Sequence, residues 1–83
     1  MSFFVYLLLP KQKNKLISYV GYTSNLQKRL KLHNTSKGAK FTKGRKWKLA
    51  YSKNYKTKSL AMREEIKLKK NYKLRRRIKK NFN

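Results

Sequence analysis

Within 83 residues the chain carries 25 Lys and Arg, two acidic side chains and no Cys, giving a formal charge of +23. That length is expected to make a single domain over residues 1–83, with its core at 3–75 and a basic C-terminal helix over 73–83. The lack of Cys, with one His, excludes a disulfide framework and a structural zinc site. Self-repulsion at this charge opposes compaction and implies a polyanionic partner: DNA or RNA first, an anionic membrane surface second. Hydrophobic content of 39% with six Tyr, four Phe and one Trp argues against a wholly disordered basic tail. The longest apolar run, Phe3 to Leu9, is too short to cross a bilayer and lacks the features of a signal peptide. The expected setting is cytoplasmic, associated with DNA and not with membrane.

In chain order, "FFVYLLL" is a continuous apolar run that suits a strand buried on both faces. "PKQKNK" reads as a turn and "LISYVGY" as the second strand of a hairpin. Pairing about a turn centred between Gln12 and Lys13 sets Tyr6 opposite Tyr19 on one face, with Cβ atoms ~5 Å apart. "SNLQKRLKLHN" is a helix for which Ser24 can cap and Gln27 can answer it. Leu26, Leu30 and His33 recur there at helical spacing. "TSKGAKFTKGRK" is a basic loop or short irregular helix. "WKLAYSKNY" alternates Trp47, Leu49 and Tyr51 with other residues and predicts a third strand. "TKSLAMREEIKLKKNY" predicts a helix, and "KLRRRIKKNF", with Leu74, Ile78 and Phe82 four apart, a basic amphipathic one. The order β-β-α-β-α-α describes an α+β domain, a three-stranded antiparallel sheet flanked by helices.

Both acids stand side by side, Glu64 and Glu65. At roughly 100° per residue, Glu65 falls in an apolar arc with Ala61, Met62, Ile66, Leu68 and Tyr72, and Glu64 at its edge. An inward carboxylate needs a cation or a metal. Ordinary helix pairing is the competing explanation, because Glu65–Lys69 and Glu64–Lys67 stand four and three apart, each pair being worth ~0.2–0.5 kcal/mol.

"FVY" (4–6) and "YVG" (19–21) on the hairpin, Arg29 and "HN" (33–34) on the next helix, "GAKFTKG", a Trp-containing strand and "A-x-x-x-E-x-x-L-K" follow one another. This ordered set resembles the GIY-YIG nucleases, in particular their small stand-alone members and, more remotely, the N-terminal nuclease domain found in an excinuclease. The resemblance implies metal-dependent cleavage of DNA phosphodiesters, using Mg2+ or Mn2+, with a role in repair or recombination. It implies catalytic roles for Tyr6, Tyr19, Arg29, His33 and Glu65, with Arg29 on the scissile phosphate and Glu65 as metal ligand. Phe4 replaces the first Gly of the family motif, and Glu64 stands where relatives carry Arg. A one-residue deletion would make Glu64 the match, whereas the spacing from Ala61 and the inward direction favour Glu65.

One carboxylate can hold a Mg2+ that keeps most of its waters, and Arg can clamp phosphate oxygens bidentately. A Tyr is a poor base at its ordinary pKa, so the surrounding cations are expected to lower it. Lys37, Lys40, Lys43, Arg45 and Lys46, with Phe41 and Trp47, combine phosphate-binding charge with stacking surface. The expected partner is DNA, branched or nicked, with RNA left open, bound by a monomer or weak homodimer. With no room for a separate recognition domain, selectivity is expected to come from substrate shape or a partner. The alternatives are a binding module of the same fold without cleavage, and a membrane-surface protein using Leu74, Ile78 and Phe82.

Overall fold

The computed structural model describes residues 2–12 and 17–82. Three strands, β1 (Phe3–Pro10), β2 (Tyr19–Thr23) and β3 (Trp47–Tyr55), form an antiparallel sheet in the order β2-β1-β3. Three helices, α1 (Leu26–Asn34), α2 (Lys58–Lys70) and α3 (Tyr72–Phe82), complete the α+β fold, with a short 3-10 turn at Lys40–Thr42.

The apolar run of β1 becomes the central strand. Val5, Leu7 and Leu9 face a core with Val20, Ala61 and Leu68, against which Leu74 and Ile78 also pack. Tyr6 and Leu8 point the other way and pack with Trp47, Leu26 and Leu30. Helices α2 and α3 thus cover one face and α1 the other. Leu74 and Ile78 are spent on the core, which removes the apolar stripe that membrane binding would need; the Phe82 side chain lies outside the described residues. Among the described residues no helix is long and apolar enough to cross a membrane.

Four local expectations are corrected. Tyr6 pairs with Gly21 and Tyr19 with Leu8, a slip of two residues from the predicted register. Because side chains alternate with period two, this slip keeps both tyrosines on one face. The expected turn falls partly on residues 13–16, outside the described residues. In β3 the partners jump from Tyr51 to Leu49 as β1 passes from Leu7 to Leu8. That bulge at Ala50 reverses the alternation, so Tyr51 joins the α2 side while Leu49 and Trp47 join the α1 side. Asn25, not Ser24, caps α1, its Oδ1 accepting from the Lys28 N–H at 3.0 Å. The two expected helices do meet near the predicted boundary, at Asn71, whose side chain accepts from the Leu74 N–H and starts α3. The buried stripe of α2 is also narrower than its apolar arc. Ala61 and Leu68 are buried, whereas Met62, Ile66 and Tyr72 are exposed.

Candidate active site

The site grows from the pairing of Tyr6 with Gly21. With no side chain at Gly21, the Tyr6 ring lies directly across β2: a Cβ there would stand 2.5 Å from Tyr6 Oη and 2.7 Å from Cζ. Tyr19 lies on the same face, its ring centroid 6.4 Å from that of Tyr6. Helix α1 turns Leu26 and Leu30 onto this face, and the same inward stripe carries Arg29 and His33. His33 is fully buried and its ring centroid lies 5.0 Å from that of Tyr19.

The polar atoms of this cluster fix its protons. Thr42 Oγ1 donates to the Ala39 carbonyl at 3.0 Å and accepts from the Ala39 N–H. Its single hydrogen being used, it accepts from His33 Nδ1–H at 2.8 Å. His33 Nε2 is then bare and accepts the Tyr6 O–H at 2.9 Å. The positive Arg29 guanidinium acts on the same phenol and favours its charged form, which agrees with a phenol oxygen turned toward Arg29 and a phenol hydrogen turned toward His33. The line Tyr6→His33→Thr42→Ala39 satisfies each buried group. Gly38 is part of this fit, because a Cβ at that position would overlap His33 Nδ1.

In the metal-free chain, burial outweighs the protein's own cations at Tyr6. Removal from water raises its pKa above the ordinary 10.0, and the favourable contact with Arg29 offsets this only in part. Tyr19 and Glu65 add to the rise. Burial likewise lowers the pKa of His33 below 6.5, helped by the positive charge of Arg29. Both groups are therefore neutral near pH 7, the phenol as donor and the imidazole as acceptor.

An open cleft of about 400 Å3 at edge strand β2 collects Tyr6, Tyr19, Arg29, Lys58 and Glu65, with Ser24 at its border. Glu65 has a side chain only 15% exposed and pairs with Lys69 at 3.3 Å. Glu64, 26% exposed, pairs with Lys67 at 3.1 Å and does not line this cleft. The two acids flank the buried stripe of α2, and only Glu65 turns toward the tyrosines. Tyr6, Tyr19, Arg29, His33 and Glu65 are thus brought together from four elements.

Trp47 departs from its expected role. It is fully buried, and its Nε1–H donates to the Thr42 carbonyl at 3.0 Å. It supports the turn that holds Thr42 and offers no face to a base. Phe41 is 54% exposed, and Lys37, Lys40, Lys43, Arg45 and Lys46 are exposed. Lys46 Nζ also donates to the Asn34 carbonyl at 2.9 Å. Thr42 and Lys58 were not singled out by the sequence; a Thr among loop lysines and a Lys at a helix start carry no local signal of chemistry.

A family model described as the GIY-YIG catalytic domain matches residues 2–81. The chain belongs to the GIY-YIG family. That family is one of nucleases, so the catalytic domain it shares sets the class of chemistry to be sought in this cleft. Similar proteins include a UPF0213 protein of Oceanobacillus iheyensis, 43% identical over 67 residues that cover 80% of this chain and 74% of that one. Another, of Bacillus velezensis, is 46% identical over 69 residues, covering 82% and 67%. The solution NMR structure of a UPF0213 protein from Bacillus halodurans is 37% identical, covers 83% of this chain and 71% of that one, and has a TM-score of 0.46.

Proposed function

We propose that the protein is a metal-dependent DNA endonuclease whose active centre is Tyr6, Tyr19, Arg29, His33 and Glu65. The observation that carries this reading is the 2.9 Å hydrogen bond from Tyr6 to His33 at a cleft that also holds Arg29 and the inward Glu65. Among the described residues no three His, Asp or Glu side chains gather into a metal cage. A single carboxylate beside an open cleft suits a cation that keeps most of its waters and takes its other ligands from substrate phosphate. Glu65 would hold that Mg2+ or Mn2+, which supplies positive charge against the phosphoryl oxygens when bound.

The chain's own groups then divide the work. Arg29 clamps the non-bridging oxygens of the scissile phosphate. The attacking water gives a proton to Tyr6 Oη as Tyr6 passes its own to His33 Nε2, so a free phenolate, which burial disfavours, is never formed. The resulting imidazolium keeps its Nδ1–H on Thr42. Tyr19 orients the water or the phosphate. Lys58, at the same cleft, adds charge for an adjoining phosphate.

The test is incubation of the purified protein with labelled linear, nicked and branched DNA in Mg2+, Mn2+ or EDTA. Metal-dependent nicking supports the proposal, and a preference for branched or nicked DNA would place the activity in repair or recombination. DNA binding with no cleavage in either metal selects the inactive binding module instead.

A further inference from the structure

We propose that a second cleft, joined to the first through Tyr19, binds a nucleotide flanking the cleaved bond, with its phosphate on Arg75 and Lys69 and its base against Phe41. This rests on the nuclease reading of the first cleft. The second cleft has a volume of about 220 Å3 and is lined by Ser18, Tyr19, Val20, Phe41, Lys69 and Arg75. Tyr19 borders both clefts, so a strand placed across one continues into the other along β2.

Its lining combines the two features that single-stranded nucleic acid needs, positive charge and an aromatic face. Two cations line it and no acid does. Arg75 Nε is shielded from solvent and has no acceptor among the described residues. A charged donor left so is costly, and a phosphate in the cleft that Arg75 lines offsets the charge of the guanidinium as a whole without reaching the shielded Nε. Lys69 pairs with Glu65 at 3.3 Å, with its side chain 55% exposed. An ammonium has three donors, so Lys69 can give one to a phosphate while it stays beside Glu65.

Phe41 supplies the aromatic face. It is 54% exposed, yet its ring is fixed from within, stacked on Tyr19 at 6.1 Å and 23° and leaning on buried Trp47 at 6.2 Å. An apolar ring held rigid at the rim of a cationic cleft is prepared for a base at little entropic cost. Because the base must leave its own stack to reach Phe41, the proposal selects DNA with an unpaired nucleotide near the cut.

The experiment is fluorescence titration, in EDTA, of a short single-stranded oligodeoxynucleotide containing 2-aminopurine. Stacking on Phe41 is expected to quench the probe. Phe41→Leu keeps apolar bulk, and should abolish the quenching and weaken binding about tenfold. Arg75→Ala should weaken binding at least fivefold more than Arg77→Ala, which removes the same charge from an exposed position of α3 outside both clefts. Equal losses for Arg75→Ala and Arg77→Ala overturn the proposal, as does a Phe41→Leu protein that binds and quenches like the parent. Phe41 is exposed, so its variant folds whatever happens to Arg75→Ala, and that arm decides if the Arg variant does not fold. Absence of cleavage by the parent protein in metal would remove the nuclease reading without altering this binding comparison.

Discussion

Gly21→Ala tests how tightly Tyr6 is held. The backbone at Gly21 is an ordinary strand, and among the described glycines only Gly44 has a positive φ; any effect of the added methyl is therefore steric. The new Cβ would lie 2.5 Å from Tyr6 Oη, against an ordinary contact of 3.4–4 Å. The phenol must retreat by about 0.9 Å. Its retreat is opposed by close packing, because Tyr6 is only 2% exposed and its hydroxyl is bound to His33 at 2.9 Å. Overpacking of this kind costs ~1–3 kcal/mol, or roughly 4–8 °C of melting temperature per kcal/mol at this chain length. A displacement near 1 Å at a reacting group costs ~10²-fold in rate. The assay pairs thermal melting with single-turnover DNA cleavage and a DNA affinity measurement. The expected variant is folded, binds DNA normally and cleaves ~10²-fold more slowly. A Gly21→Ala protein with parental melting temperature and rate would show that Tyr6 yields easily and that its position is not fixed as argued.

Tyr6→Phe and Tyr19→Phe, which delete one oxygen each, should keep fold and DNA affinity and lower the cleavage rate by ~10²–10⁴; parental rates for both would make them packing residues. The folded-state pKa of His33 lies below 6.5, so the unfolded chain takes up its proton first. Its contribution to stability is complete above pH 6.5 and is lost as pH falls from there toward the folded value. Melting temperature should drop on that acid side, and His33→Gln should flatten the drop; an unchanged pH profile in the variant would refute the assignment. DNA affinity should fall steeply with salt, with a log–log slope of about −5 if ~6 phosphates are covered. Replacing Lys40, Lys43 and Arg45 by Ala should flatten that slope, and a slope near zero would mean that the charge serves another purpose.

Much of the site was legible because period and order survive local errors. The two tyrosines share a face although their register is two residues from the expected one, since an even slip preserves the side of the sheet. Glu65 was separated from Glu64 by helix geometry, even though the same geometry wrongly took Met62 and Ile66 inward. What the sequence hid is tertiary. The bulge at Ala50 carries no turn residue, yet it moves Trp47 to the α1 face of the sheet, where it is buried away from any base. Cation density suggested a lowered phenol pKa for Tyr6, whereas burial against His33, Leu8 and Trp47 wins and raises it. Thr42 acts only because the chain folds back nine residues beyond His33 to meet its Nδ1, a contact with no periodic signature.

The central claim is that Glu65, and not Glu64, makes the cleft a metal-dependent nuclease site. A metal titration of DNA cleavage with the parent, Glu65→Gln and Glu64→Gln tests it most directly. The parent and Glu64→Gln should cleave with similar metal dependence, since Glu64 contributes only a surface pairing worth a few tenths of a kcal/mol. Glu65→Gln should bind DNA as well as the parent or slightly better and show no cleavage at any Mg2+ or Mn2+ concentration. Full activity of Glu65→Gln, whether or not Glu64→Gln is dead, would contradict the account.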